Sequence, residues 1–354
     1  MKALIAMSGG VDSSVAAALM KDKGYECMGV TMRLFHSEEQ RLSPKSCCSV
    51  RDVDDAARVA VLLSIPYEVK DYTADFSEAV IDKFIRTYQN GGTPNPCIDC
   101  NRYLKFEKLL EYGLSRACDV IVTGHYARTG YNEENGRYIL KKALDPAKDQ
   151  SYVLFNLSQE QLKYCRFPLG ELSKTQTRQI AAEYGFVNAD KAESQDICFV
   201  PDGDYASFIE QQTGVSYPEG DFVDTEGNVL GRHKGVIRYT IGQRKGLGIA
   251  AEYPWYVCGI DVENNRVCLS HGKELFTDTL TARDVNLISV DHIEGRMRVK
   301  AKVRYRQQEQ PAVVEQTGED SIRVVFDEPQ RAITRGQAVV LYDGDVVVGG
   351  GTIA

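Results

Sequence analysis

Apolar residues run unbroken from Ala3 to Met7. A polar, glycine-rich stretch, Ser8-Gly9-Gly10-Val11-Asp12-Ser13-Ser14, separates them from a helical pattern over Val15 to Met20. Gly24 closes that helix, and Tyr25 to Met32 reads as a second strand. Val53, Ala56, Ala57, Ala60 and Leu63 then recur at the spacing of one apolar helix face, which Pro66 closes. Tyr67 to Lys70 is a short strand, Phe76 to Tyr88 a helix, Gly91 to Pro96 a stiff loop and Leu104 to Ala117 a further helix. Asp119 to Gly124 is an apolar strand that ends at His125. Strands alternating with helices require right-handed crossovers, so the pattern predicts an α/β fold with a parallel, doubly wound sheet. Ligands of such sheets sit beyond the carboxyl ends of the strands, where Ser8, Met32, Gly124 and His125 all fall.

Past Gly130 the periodicity loosens. Ser173 to Tyr184 is helical, with Ser173 as N-cap and Gly185 as its stop. From about Tyr205 onward helical signals fade and glycine-punctuated β segments take over, with Asn264-Asn265 and Asp343-Gly344 as hairpin turns. Three domains are predicted: 1–205, a small β-rich unit over 206–275, and a barrel-like unit over 276–354. Composition fits a globular chain, at 43% hydrophobic and 26% charged residues. The N-terminal apolar run is too short for a signal peptide, and no stretch approaches the ~20 apolar residues of a membrane span, so no membrane partner is expected. Ten cysteines without a secretory signal point to a cytoplasmic protein with reactive or metal-binding thiols.

The stretch after Met7 has the build of a phosphate cradle. Its glycines let the backbone approach an anion, its N–H groups point inward, and the helix that follows adds a partial positive charge. It lacks the Gly-Lys-Ser/Thr ending of a Walker A loop, which argues against ordinary γ-phosphoryl transfer. Ser-Gly-Gly-x-Asp-Ser resembles the PP-loop of the ATP pyrophosphatases, which split ATP between the α- and β-phosphates and adenylate a carbonyl oxygen. A second stretch, Asn95-Pro96-Cys97-Ile98-Asp99-Cys100-Asn101, holds a Cys-x-x-Cys stiffly behind two prolines. One such pair is not a zinc site, because structural zinc takes four ligands. A third, Asp196-Ile197-Cys198-Phe199, carries a lone cysteine that by itself reads as a small buried hydrophobe.

Net charge is −8, which taken globally argues against nucleic acid. Locally it does not. Arg296, Arg298, Lys300, Lys302, Arg304 and Arg306 alternate with Met297, Val299, Ala301, Val303 and Tyr305, so a strand would place these cations on one face with no acid among them. Gly231 to Lys245 forms a second acid-free patch, with Arg232, His233, Lys234, Arg238, Arg244 and Lys245. Both favour phosphate contact.

Together with Asp145 to Tyr152, Tyr239 to Ile249, Val303 to Gln307 and Gly336 to Gly351, these motifs occur in an order that resembles the bacterial tRNA-specific 2-thiouridylase family over nearly the whole chain. The resemblance implies an adenine nucleotide α-hydrolase-like N-terminal domain, and ATP-dependent placement of sulfur on C2 of the wobble uridine of tRNA. Matching motif to motif, Ala6, Met7, Ser8, Gly9, Gly10, Val11, Asp12, Ser13, Met32 and Gly124 would hold ATP with Mg2+. Cys100 would be the catalytic nucleophile and Cys198 the persulfide carrier, loaded by a cysteine desulfurase or a sulfur-relay protein. Asn95, Pro96 and Cys97 would touch the target base. His125, Lys148, Asp149, Gln150, Arg304, Tyr305 and Gln337 would contact tRNA. Many members carry Asp where this chain has Cys97, and the nearest carboxylate here, Asp99, is in a different register. An alternative therefore stands beside the persulfide: Cys97, Cys100 and Cys198 as ligands of a four-iron four-sulfur cluster that delivers sulfide. Two further rivals are an amide-forming PP-loop synthetase, which has no use for paired cysteines, and a non-catalytic RNA-binding protein, which has no use for the loop. Cys47-Cys48 carry a packing or a redox role equally well, and Cys27, Cys118, Cys165, Cys258 and Cys268 lie in apolar patterns that predict burial. His36, His233, His271 and His292 have no metal-ligand spacing.

Overall fold

The computed structural model describes residues 1–35, 50–192, 197–200 and 203–354. Strands Lys2–Ala6 (β1), Glu26–Arg33 (β2), Tyr67–Asp71 (β3) and Val120–Val122 (β4) alternate with helices. A hairpin of Ala127–Asn132 (β5) and Arg137–Lys142 (β6) interrupts them before Cys165–Arg166 (β7). Strands β1 to β4 and β7 pair in parallel as a five-stranded sheet in the order β3-β2-β1-β4-β7. Side chains on β1 alternate between two dry layers: Ala3 and Ile5 pack with Val15, Ala56 and Val59, whereas Leu4 packs with Met28, Phe84 and Leu104. The chain winds outward from β1 to β3 and then returns to place β4 on the other side of β1. That reversal opens a crevice beyond the carboxyl ends of β1 and β4, and the Ser8 stretch and Gly124 both face it.

Cap chemistry behaves as expected at Ser173, which accepts a hydrogen bond from Gln176 N at 3.3 Å while Gln176 Oε1 accepts one from Ser173 N at 2.8 Å. Helical signal does not fade at Tyr205. Tyr205–Thr213 is a helix, started by Asp204, whose carboxylate accepts from Ser207 N, and stopped by Gly214 at φ +66°. The helix over Leu104 to Ala117 also begins earlier than its apolar spacing indicates. Pro96 supplies its first helical residue, and the run continues through a π-helical segment, Cys100–Lys108, to Leu109–Ser115.

Beyond Thr213, strands Gly220–Val223 (β8), Val229–His233 (β9), Tyr256–Asp261 (β10) and Arg266–Ser270 (β11) form a four-stranded sheet. Phe276–Leu287 (β12), Arg296–Lys302 (β13), Gln310–Gly318 (β14), Ser321–Arg331 (β15), Ala338–Asp343 (β16) and Val346–Ile353 (β17) follow. Their order β12-β15-β14-β13-β16-β17 closes on itself through β12–β17 pairing, giving an antiparallel barrel. Both expected hairpin turns are present, with Asn265 at φ +52° and Gly344 at φ +59°. The hairpin β5–β6 leaves the parallel sheet and extends the barrel sheet, with Lys141 opposite Val346. One apolar cluster consequently spans both halves: Ile98, Phe106, Leu140 and Phe155 pack with Val340, Tyr342 and Val347.

Cys27, Cys118 and Cys165 are buried as expected, whereas Cys258 and Cys268 are half-buried with sulfurs 3.4 Å apart on β10 and β11. His36, Cys47, Cys48 and Asp196 lie outside the described residues. Among the described residues no helix is long and apolar enough to cross a membrane.

Candidate functional site

Gly9 shapes the crevice. At φ +75° it turns the chain where a Cβ would lie 2.1 Å from the Asp52 carbonyl oxygen, so only glycine fits. Ser8 N donates to Ser13 Oγ at 3.2 Å, and Ser13 Oγ donates to Gly10 O at 2.9 Å, which locks the loop against the start of helix Val11–Asp22. Gly10 caps that helix with no side-chain acceptor, leaving its first N–H groups for an anion. Gly124, after β4, presses on the same turn: a Cβ there would lie 2.7 Å from Asp12 C and Ser13 N. Met32, on β2, is buried in the adjoining apolar layer.

Two supports of this loop carry no motif. Asn188 donates to Gly9 O and Ser14 Oγ, each at 3.0 Å. Lys191 donates to Gly9 O at 3.1 Å and pairs with Asp52 at 2.6 Å and Asp55 at 2.7 Å. Burial works against the Lys191 charge, but hydrogen bonds to both carboxylates outweigh it and raise its pKa. Asp12 receives Lys174 Nζ at 2.7 Å and Tyr126 OH at 3.0 Å, so its carboxylate is fixed at the mouth of the cradle. Only the spacing of polar residues after helix Lys174–Glu183 could have hinted at Asn188 and Lys191, and that signal is weak.

Cys97 is exposed near the start of its helix, and Cys100 is buried one turn on, at the first π-helical position. Such segments cluster at functional positions. Between them Asp99 is buried and meets Lys83 Nζ at 2.7 Å; burial raises its carboxyl against the pull of Lys83. Cys198 packs on the apolar cluster that contains Cys100. The neighbouring Phe199 anchors it, meeting Phe76 and Phe84 edge-on at 5.6 and 5.1 Å. Cysteines far apart in sequence thus belong to one extended apolar cluster. Asn101 Nδ2 bonds Val153 O at 2.9 Å, and Arg102 clamps Asp284 of the barrel through both carboxylate oxygens at 2.8 Å.

Residues expected to meet tRNA divide into those that hold loops and those that face outward. Asp149 accepts from Ala143 N and Ser151 Oγ, and Gln150 exchanges hydrogen bonds with the Tyr126 backbone. Lys148 is half-buried beside them. Gln337 Nε2 donates to the carbonyls of Thr93 and Pro94, so a barrel loop holds the chain entering Asn95-Pro96. Arg304 is half-buried, donates to Ala332 O at 2.6 Å, and has its pKa lowered by burial and by Arg331; Tyr305 is exposed. The cationic strand differs from its sequence pattern. β13 ends at Lys302, and cross-strand neighbours supply acids: Glu315 reaches Arg296 at 3.5 Å, and Asp327 pairs with Arg298. In the second patch Arg232 pairs with Asp221 and Arg238 with Glu210, while His233 is buried. Arg244, Lys245, Lys300 and Arg306 stay exposed.

His125 follows Gly124 but points into protein, packed between Phe106 and Phe167, with Nδ1 2.7 Å from Thr123 Oγ1. Burial, then Lys105, pushes its pKa well below 6.5, so the folded ring is neutral. The unfolded chain takes up this proton near pH 6.5 and the folded chain does not. The resulting stability is present above that pH and is lost on acidification, at about 1.4 kcal/mol per pH unit. Urea unfolding measured from about pH 7 down to about pH 5 is expected to show a shallower loss in His125→Gln than in the wild type.

Sequence comparison decides the family. Residues 1–202 match the tRNA methyl transferase HUP domain model, 206–271 the tRNA methyl transferase PRC-barrel domain and 277–353 the aminomethyltransferase beta-barrel domain. The chain is 51% identical over 99% of both chains to a protein of Acetivibrio thermocellus named tRNA-specific 2-thiouridylase MnmA. It is 49% identical to the protein of that name in Clostridioides difficile, over 99% of this chain and 98% of the other. The chain belongs to the tRNA-specific 2-thiouridylase family. Among solved structures, a 4-thiouridine synthetase–RNA complex with bound ATP gives 16% identity and a TM-score of 0.35 over 60% of this chain and 50% of that one, a likeness too weak to carry function.

The cluster alternative finds no support in this chain. Cys97 is on the outer side of its helix while Cys100 is buried, and no group of three or more His, Cys, Asp or Glu side chains among the described residues is arranged to hold a metal ion.

Proposed function

We propose that this chain uses ATP to adenylate O2 of the wobble uridine of tRNA and then installs sulfur at C2, releasing AMP and pyrophosphate. The observation that supports it best is the match, at about half identity over nearly full length, to relatives named 2-thiouridylases, in a chain whose Cys100 and Cys198 belong to one extended apolar cluster. The whole-length family match also weighs against an amide-forming synthetase and against a non-catalytic RNA-binding protein.

Ala6 to Ser13, Met32 and Gly124 would hold the nucleotide, since the space that a Cβ at Gly9 or Gly124 would fill is a cradle for phosphate. Asp12 fits a Mg2+ ion, which takes one or two carboxylates together with phosphate oxygens and would neutralise the departing pyrophosphate. Asn95, Pro96 and Cys97 would meet the base at the exposed end of their helix. Lys148, Arg304 and Tyr305 would contact tRNA directly. Asp149, Gln150 and Gln337 would act by holding loops, and His125 by filling the neutral packing beneath the cleft.

Sulfur would arrive as a persulfide on Cys198 from a cysteine desulfurase or relay protein. The Cys100 thiolate attacks Cys198 Sγ, forming a Cys100–Cys198 disulfide and expelling hydrosulfide. Hydrosulfide attacks the adenylated C2, AMP leaves with the oxygen, and an external thiol reductant restores both cysteines. Residues 1–205 would carry this chemistry, with 206–275 and 276–354 presenting the RNA. Incubation with unmodified tRNA, ATP, Mg2+ and a persulfide donor is expected to yield 2-thiouridine and AMP in equal amounts. Pyrophosphate release without 2-thiouridine would point to a synthetase, and no ATP cleavage to a passive RNA binder.

A further inference from the structure

Where the four-stranded sheet meets the barrel there is a cavity of about 430 Å³, lined by Tyr256, His271, Gly272, Lys273, Phe276 and Arg331. Pairing of β12 with β15 sets Phe276 opposite Arg331, and Tyr256 sits opposite Ser270 where β10 meets β11. Aromatic rings gather here. Trp255 stacks on His271 with centroids 3.9 Å apart and planes at 25°, and Tyr253 meets the same imidazole edge-on at 6.3 Å. The Arg331 guanidinium lies 5.0 Å above the Tyr256 ring. Phe276 is 52% exposed and Tyr253 64%, which is unusual for large rings with no partner to cover them. No carboxylate pairs with Lys273 or Arg331 among the described residues.

Flat aromatic faces beside cations with no carboxylate partner among the described residues match a planar base carrying a phosphate. An acidic peptide would use the cations and waste the rings; an apolar peptide would do the reverse. The volume lies in the range of pockets for small planar ligands. Position supports the same class. Gly242 brings backbone against Arg304 and Arg331, since a Cβ there would lie 3.7 Å from one guanidinium and 3.8 Å from the other, and Arg244 and Lys245 follow on an exposed turn. The chain from Arg331 to Gln337 then reaches the carbonyls of Thr93 and Pro94 beside Cys97. Even fully extended, that segment spans no more than about 22 Å.

We propose that this cavity takes an unpaired nucleobase of the RNA substrate, stacked on its aromatic lining with the adjoining phosphate on Arg331 and Lys273, within a short single-stranded reach of the base held at Cys97. It rests on the reading of tRNA as substrate. Trp255 is the sole tryptophan and touches the His271 wall, so its emission reports on this site. Titrating the full-length protein with an unmodified tRNA transcript is expected to quench that emission along the same curve as a filter-binding isotherm. Phe276→Ala and Tyr256→Ala are expected to weaken tRNA binding roughly fivefold to a hundredfold, the worth of one stacked base, with ATP affinity unchanged. Unchanged tRNA affinity in both variants overturns the cavity assignment while leaving tRNA thiolation standing. Should the variants melt early, unaltered Trp255 emission in tRNA-saturated wild type overturns it instead. A wild type that binds no tRNA sinks both this site and the proposed function.

Discussion

Cys198→Ser is expected to lower 2-thiouridine formation by about a thousandfold or more, while the protein still cleaves ATP in the presence of tRNA. Losing a nucleophile or carrier from a covalent sequence typically costs this much, because what is left is binding and positioning alone. A serine hydroxyl has nearly the volume of the thiol and sits on the same half-buried wall beside Phe199, so packing is conserved and the loss reports on chemistry. Cys100→Ser should be equally inactive but differ in one respect. Its Cys198 can still be loaded, and mass spectrometry of the intact protein after exposure to a donor should find one added sulfur that the wild type discharges onto tRNA. Residual activity of Cys198→Ser above about a tenth of wild type would remove Cys198 from the sulfur path.

Gly9→Ala is expected to reduce ATP affinity by at least about a hundredfold, measured by calorimetry, with tRNA affinity preserved. Two costs add. A side chain at φ +75° is disfavoured by about 1–2 kcal/mol, and the new Cβ would sit 2.1 Å from backbone at Asp52, which cannot rotate away. Relief requires moving the loop off helix Val50–Leu62, which also strips Lys191 from Gly9 O. Gly124→Ala separates the two costs, because its φ is ordinary and only the contact of 2.7 Å with Asp12 and Ser13 acts. Its loss should be smaller. Wild-type ATP binding by Gly9→Ala would place the nucleotide elsewhere.

Sequence pattern carried far where the physics is local. Glycine freedom, strand burial and helix capping operate over a few residues, so the loop from Ser8 to Ser14, the box at Ser173 and the turn at Gly344 are legible one at a time. It carried less far where partners are remote in sequence. An alternation of Arg and Lys in β13 identifies an exposed face, but Glu315 and Asp327 come from β14 and β15, and register alone brings them alongside. Helix Tyr205–Thr213 leaves little trace in the sequence because its apolar stripe is brief and its start depends on one Asp204 cap. The supports at Asn188 and Lys191 have no spacing signature, since they act by reaching backbone across the crevice. The placement of Cys100 and Cys198 is of this kind too: a motif names each, and only the folded chain puts both on one extended apolar cluster.

The apolar cluster that joins Ile98 and Phe106 to Val340 and Tyr342 sets the spacing between the cysteine helix and the barrel. Interiors packed this closely transmit strain instead of absorbing it. The barrel therefore works as a gauge block: trimming Val340 to alanine would let the helix that carries Cys97 and Cys100 settle, and would show as a loss of turnover with RNA affinity intact.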